Sequence, residues 1–229
     1  MRITYHGHSC IQMTDEHYSI VIDPFLTGNP VAKAKTADIH VDYVLLTHAH
    51  DDHISDAEAV ARGNDATIVA TFELANHFAW KGLKTRQMNI GGTIDLGFAK
   101  VKMVQAFHSS AIVMEDEQRI VYMGMPAGFL IDWNGVTFLH AGDTALFSDM
   151  KMLGELHRID IACLPIGDTF TMGPDDAVIA AQWLQAKSVI PVHHGTWPPI
   201  AQDIGQFADK LDQHGIKGIC LAPGEAYEV

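Results

Sequence analysis

The sequence predicts an α/β protein in which two sheets carry helices on their outer faces, as one domain over residues 1–229. Three observations carry that reading. Short apolar runs bounded by turn residues fill the first and middle parts of the chain. From about residue 144 helical and strand patterns alternate. No Pro-, Gly- or Ser-rich linker, internal repeat or low-complexity tract divides the chain.

Residues 2–13 alternate loosely and read as strand, and 18–22 is a short apolar run that ends at Asp23-Pro24. Residues 41–46 read as a buried strand. Ser55 is placed to cap a helix through Arg62, with Asp56 and Glu58 in its first turn. Residues 67–70 predict a strand, and 73–80 a helix ended by Gly82. The stretch 84–140 is strand-rich, with turns marked by Gly91-Gly92, Gly97 and Asn134-Gly135; the last lies between apolar runs, the pattern of a hairpin. Helices over 146–157, 175–185 and 200–214 then precede strands over 160–166, 188–193 and 216–222. Pro174 suits a first helical position, and Asp175 and Asp176 favour the positive end of that helix.

A hydrophobic fraction of 48% and a charged fraction of 19% are those of an ordinary globular protein. No run approaches the length of a membrane span, and Met1-Arg2-Ile3-Thr4-Tyr5 holds no apolar signal core, so the expected location is the cytoplasm. Cys10, Cys163 and Cys220 lie far apart in apolar surroundings and read as small buried hydrophobes in a reducing compartment. The formal charge is −13, from 28 acidic and 15 basic residues, and no basic footprint for nucleic acid is visible. Fourteen histidines almost equal the Lys and Arg together, a balance that invites a search for metal ligands.

That search ends at Thr47-His48-Ala49-His50-Asp51-Asp52-His53, where three imidazoles and carboxylates crowd the loop after the 41–46 strand. Neutral imidazole and carboxylate are good ligands for divalent transition metals. Open α/β sheets bind their ligands at such carboxyl ends. His53 cannot share a regular strand face with His48, His50 and Asp52, so the loop must curl, and a curled loop can present ligands to two metals. Three more candidates follow strand-like runs: His108, Asp143 and His193.

The order Asp23, His48-x-His50-x-Asp52-His53, His108, Asp143, His193 resembles the five-motif signature of the metallo-β-lactamase superfamily, over essentially the whole chain. Tyr5-His6-Gly7-His8-Ser9, Met125-Pro126-Ala127-Gly128-Phe129, His140-Ala141-Gly142-Asp143-Thr144 and Thr171-Met172-Gly173-Pro174-Asp175-Asp176-Ala177 resemble a small prokaryotic family of metal-dependent hydrolases within it. That family is related to L-ascorbate-6-phosphate lactonase and the N-acylethanolamine phospholipase D group. The resemblance implies a four-layer αββα sandwich with the metals at one edge of the paired sheets. It implies two divalent ions, zinc first, with manganese and iron also compatible with these ligands. His48, His50 and His108 would hold one ion, and Asp52, His53 and His193 the other, with Asp143 bridging. Asp23 would lie beneath the site and orient a ligand histidine.

The implied activity is hydrolysis of a small ester, lactone or phosphodiester by a metal-bound hydroxide, which zinc makes available near pH 7 by lowering the pKa of its water to about that value. Asp52, ligating through one oxygen, would relay a proton to the leaving group. No G-x-S-x-G elbow is present to supply a serine nucleophile. The partners expected are a small-molecule substrate and no nucleic acid, with a homo-oligomer as the resemblance's implied assembly. A nuclease of the same superfamily and a non-catalytic metal-dependent binding protein stand as alternatives. A di-iron redox enzyme is disfavoured, because redox members with this signature usually carry Glu in the second motif.

Secondary candidates complete the reading. His6 and His8, two apart, would share a strand face, with His8 either a substrate contact or a structural turn histidine. His194 follows His193 and would face the other way; it lines the pocket or packs. His140 reads as packing, His17, His40, His77, His157 and His214 as surface, and Met123, Met125 and Met172 as core. Residues 171–174 would place a helix N-terminus near an anionic group of the substrate.

Overall fold

The computed structural model describes residues 1–229. Alternating apolar residues make β1 (Arg2–Gly7), β2 (Cys10–Thr14) and β3 (Ser19–Ile22) an antiparallel meander. Strand β4 (Tyr43–Leu45) pairs parallel to β3. It leads into the one-turn helix α1 (Asp51–Ile54) and then α2 (Ala57–Asn64). Next come β5 (Thr67–Thr71), α3 (Phe72–Trp80) and β6 (Thr85–Met88). The middle of the chain forms β7 (Thr93–Asp95), β8 (Ala99–Gln105), a protruding pair β9 (Ala111–Met114) and β10 (Arg119–Tyr122), and the hairpin β11 (Ala127–Trp133)–β12 (Val136–His140). Asn134 and Gly135 join that hairpin with φ of 52° and 78°, as its Asn-Gly signal requires. The last third alternates α4 (Met150–Leu156), β13 (Ile161–Pro165), α5 (Pro174–Trp183), β14 (Ser188–Val192), α6 (Ile204–Asp212), β15 (Lys217–Gly218) and β16 (Ala226–Glu228).

Two seven-stranded mixed sheets result, in the orders β16-β1-β2-β3-β4-β5-β6 and β15-β14-β13-β12-β11-β8-β7. Their inner faces meet in a core that includes Ile3, Ile11, Ile22 and Val69 from one sheet and Met103, Phe129, Trp133 and Ile190 from the other. The outer face of the first sheet packs on α1–α3 through residues such as Val44, Val60, Leu74 and Phe78. The outer face of the second packs on α4–α6 through Leu139, Leu164, Ala177, Ala181, Phe207 and Leu211. The architecture is a four-layer αββα sandwich, and where both faces of a sheet are covered the strands, such as β3, β5, β13 and β14, are apolar in nearly continuous runs.

Pairing directions explain why chemistry gathers at one edge. Strands β1, β3 and β4 run the same way in the first sheet, as do β8, β12 and β14 in the second. The residues just past their carboxyl ends are His8, Asp23, the 47–53 loop, His108, Asp143 and His193. Two backbone bonds join the sheets there: His193 N to His8 O at 2.7 Å and Ala127 N to Thr47 O at 2.9 Å. Gly142 is required at this seam, since it has φ of 65° and an added Cβ would lie 2.5 Å from Ala127 O.

Local details differ from expectation where side chains found other partners. Ser55 closes α1 rather than capping a helix, and α2 begins two residues later. Asp56 occupies the N-cap position, but its carboxylate turns to the 26–36 segment, accepting from Leu26 N (2.6 Å), Thr27 N (2.8 Å), Thr27 Oγ1 (2.7 Å) and Thr36 Oγ1 (2.9 Å). The helix expected over 200–214 starts at Ile204, because Pro198 and Pro199 supply no N–H and make a separate 3-10 turn; Asp203 Oδ1 then accepts from Gln206 N (3.0 Å). Strand β16 has only three residues, too few for a pattern, and the 216–222 strand is reduced to Lys217–Gly218.

Burial raises the Asp56 pKa, but the four donors outweigh it and hold the carboxyl below its ordinary 3.8. A depressed native pKa means stability that is complete above pH ~4 and lost as the pH falls below it. Asp56→Ala is therefore expected to destabilise the protein by about 2 kcal/mol at neutral pH and to flatten the acid limb of its stability–pH profile, read by urea melts at several pH values.

Candidate metal centre

The site is built around Asp143, delivered by the turn after β12 and only 2% exposed. Its Oδ2 lies 2.9 Å from His193 Nε2, 3.3 Å from His53 Nε2, 3.7 Å from His108 Nε2 and 3.9 Å from His48 Nε2. Around it are two groups whose potential ligand atoms all lie within 4.8 Å of one another: His48, His50 and His108, and His8, Asp52, His53 and His193. The 47–53 segment reaches both groups because α1 starts at Asp51 and breaks the strand-like alternation, so that His53 faces Asp52 and Asp143 while its ring centre stays 4.1 Å from that of His48.

Beneath the cluster, Asp23 sets the orientation of two imidazoles. Its Oδ2 accepts from His53 Nδ1 (2.8 Å) and Thr47 Oγ1 (2.6 Å), and its Oδ1 from Thr47 N (2.8 Å). Thr47 Oγ1 has then spent its proton and accepts from His48 Nδ1 (3.0 Å). Both His48 and His53 are left with Nε2 turned to the centre. Asp23 is fully buried with φ of 50°, a left-handed conformation that Asp and Asn tolerate better than other side chains. Asp23→Asn keeps that backbone but replaces one acceptor by a donor. Metal affinity is expected to fall about 10- to 100-fold, measured by competition against a chelator of known affinity.

His8 sits at the hairpin turn between β1 and β2, also left-handed at φ 56°. Asp52 can only accept, so His8 Nε2 donates to Asp52 Oδ2 (3.1 Å) and His8 Nδ1 accepts from Thr196 Oγ1 (2.8 Å). This leaves Asp52 Oδ1 facing His53 Nε2 at 3.8 Å. His8 thus contacts Asp52. His6 does not join it: the chain turns at Gly7, and His6 is buried against Gln12 Oε1 at 3.0 Å, so the two share no face. His193 leaves strand geometry at φ 52° and enters the cluster, while His194 stacks on Tyr5 with ring centres 6.1 Å apart and lines no part of the cleft. His140 packs between the sheets: Nε2 donates to Ser9 O (3.0 Å) and Nδ1 accepts from Gly142 N (3.2 Å), steadying the turn that carries Asp143.

The protonation states suit a cation. Burial pushes His48 well below its ordinary pKa, lowers His50 and His108, and takes His8 to about 4, so these imidazoles are neutral near pH 7. Burial raises Asp143, but His53 and His193 beside it outweigh this and hold it ionised well below the usual carboxylate range. His53 is opposed by burial yet raised well above its ordinary value by Asp143 and Asp23. A cation entering at its Nε2 displaces that proton. The cluster fits a metal on a further ground: His53 Nε2 and Asp143 Oδ1 are buried without any hydrogen-bond partner, a costly state unless an ion takes their lone pairs.

Outside the cluster lies a cleft of about 580 Å³, lined by His50, Asp52, His108, Asp143 and His193 together with Ser109, Phe170, Trp197, Pro199 and Ile200. Ser109 Oγ lies 3.2 Å from His50 Nε2. The start of α5 is not part of this lining. None of residues 171–174 reaches the cleft, and the Asp168 carboxyl lies against Gly173 at the helix start, so the expected anion subsite is displaced by the chain's own acid. Met123, Met125 and Met172 also stay out of the cleft: Met172 is in the core under α4–α6 and Met123 packs against the core under α1–α3, but Met125 is exposed. Sequence reasoning missed Thr47, Thr196 and the apolar wall. Thr47 had a signal in its position beside His48, and Trp197-Pro198-Pro199 had one as a stiff aromatic turn.

Comparisons with known proteins identify the family and the fold. The family described as the beta-lactamase superfamily domain matches residues 2–193. A metal-dependent hydrolase of Bacillus pumilus is 54% identical over 229 residues, covering all of both chains. One of Bacillus subtilis is 52% identical, again over the full length of both. Among solved structures, a metallo hydrolase of the hyperthermophilic archaeon Ignicoccus hospitalis superposes with a TM-score of 0.90 at 34% identity, covering 100% of this chain and 98% of that one.

Proposed function

The chain belongs to the β-lactamase superfamily, and from that premise we propose that it is a metal-dependent hydrolase that holds two divalent ions and opens a small ester, lactone or phosphodiester. His48, His50 and His108 would hold one ion and Asp52, His53 and His193 the other, with the Asp143 carboxylate facing both groups. The ions, zinc with manganese or iron as alternatives, supply a nucleophile from water near neutral pH and polarise the substrate oxygen. The chain's own residues do the rest. Asp23 and Thr47 keep the His48 and His53 ring nitrogens aimed inward. Asp52, with Oδ2 anchored by His8 and Oδ1 turned to the centre, takes a proton from the attacking water and returns it to the leaving group.

The observation that carries this reading is the approach of four imidazoles to one buried carboxylate oxygen, with His53 Nε2 otherwise unpartnered. The nuclease reading has less support, since no Lys or Arg lines the cleft. No helix is long and apolar enough to cross a membrane, and the proposal places the enzyme in the cytoplasm acting on a small molecule. Elemental analysis of protein purified without added metal, with a His48→Ala control, tests it. Near two ions per chain, reduced in the control, is the expected result. Metal near zero that reconstitution does not restore would remove the catalytic reading and leave a ligand-binding protein.

A further inference from the structure

The charged residues lining the cleft are all on the ligand side, as Asp52 and Asp143, and the chain contributes no Lys or Arg to hold a second negative group on the substrate. The start of α5 contributes nothing to the lining and is faced by Asp168. Beside the ligands the same cleft is lined by an apolar wall of Phe170, Trp197, Pro199 and Ile200. Phe170 is 60% exposed and Trp197 36%, so these aromatic faces are held open rather than folded into the core.

The wall is assembled in advance. Thr169 Oγ1 donates to Pro199 O (3.0 Å), and Gln202 Nε2 donates to Gly167 O (3.4 Å), which ties the loop carrying Phe170 to the loop carrying Trp197. Gly195 N donates to Ile200 O (2.9 Å) and closes the second loop on itself. Trp197 rests edge-on against His8, ring centres 5.1 Å apart, and tilted on Phe25 at 5.9 Å. A rigid apolar surface facing a polar reactive centre selects a ligand with the same two ends.

We propose that the substrate is an uncharged carbonyl ester or lactone whose apolar arm, several carbons long, lies against Phe170 and Trp197 while its carbonyl faces the ligand cluster. The proposal rests on the hydrolase reading and narrows it, setting anionic phosphodiesters aside. The carbonyl carbon gains the water oxygen, the ester C–O bond breaks, and the alcohol leaves with a proton; no oxidant or further reactant takes part.

The test uses metal-replete protein and a series of p-nitrophenyl esters: acetate, butyrate and hexanoate, with bis(p-nitrophenyl) phosphate beside them. The expected kcat/KM rises about three- to fourfold for each added methylene, mainly through KM, and the phosphodiester is the poorer substrate. Phe170→Ser and Trp197→Ser each flatten that rise. Because Phe170 is largely exposed, its substitution leaves the fold unloaded, and the slope across the series is independent of the amount of active protein. Quenching of tryptophan fluorescence by 2-octanone supplies a readout without turnover, expected in the parent and lost in Trp197→Phe. Binding of 2-octanone without hydrolysis of any ester would sink the hydrolase reading and keep the cleft assignment. A flat ester series, or preference for the phosphodiester, would overturn the cleft assignment with the hydrolase reading intact. Neither hydrolysis nor binding would overturn both.

Discussion

Replacing Asp143 by alanine is expected to lower hydrolysis by about three orders of magnitude and to cut bound metal below one ion per chain. Asp143 Oδ2 is within 3.9 Å of four imidazole nitrogens belonging to both ligand groups, so its loss disturbs the two groups together. Metal polarisation is worth several kcal/mol of transition-state stabilisation, and each 1.36 kcal/mol is tenfold in rate. Removal also leaves His53 and His193, with ring centres 5.9 Å apart, without the carboxylate that both ring nitrogens face. Elemental analysis and kcat on the same preparation check both parts. Full metal content with unchanged kcat would show that Asp143 is a bystander.

A substitution outside the ligand set is expected to do nearly as much harm. At Gly167 an added Cβ would lie 2.3 Å from His193 O and 3.1 Å from His193 Nδ1. The first is backbone and cannot swing aside. Gly167→Ala therefore pushes the 193–195 turn outward and takes the His193 ring with it. A displacement of about 1 Å in a reacting group costs roughly 100-fold in rate, and the overpacking itself costs about 1–3 kcal/mol. The expected signature is a fall in kcat with a Tm lowered by several degrees, while the His48, His50 and His108 group keeps its ion. Unaltered kinetics in Gly167→Ala would mean that the turn yields freely and that His193 is not held by it.

What the sequence made legible was local. All seven expected ligands follow strands long or apolar enough to be recognised, and the crowding at 48–53 announced itself; the structure brings those residues together. Asp23 stood out only as the residue after an apolar run, and its pairing with His53 spans 30 positions. The partner of His8 is 188 positions away, and a lone threonine such as Thr196 carries no pattern that sequence spacing can expose. Two errors share one cause. The α5 start was legible as a helix N-terminus, and Asp56 as a first-turn acid, but where each points depends on packing against residues distant in the chain. Periodicity reports the element, whereas the direction of one side chain is settled by tertiary contacts.

The edge where the two sheets meet has a consequence for cohesion. His48, His50, Asp52 and His53 follow a strand of the first sheet, and His108, Asp143 and His193 follow strands of the second. Ions held between them would act as cross-links from one half of the chain to the other, closing a loop of 60 residues from His48 to His108 and one of 140 from His53 to His193, in the manner of a covalent bridge that the cell can remove. The rest of the contact between the sheets is apolar core with a few hydrogen bonds, and is indifferent to metal supply. Free-metal concentration would then set how tightly one rim of the sandwich is laced, by about 2.7 kcal/mol when the ion stands at a hundred times its dissociation constant, and a starved cell would hold a protein whose halves remain stacked but whose working rim is unlaced.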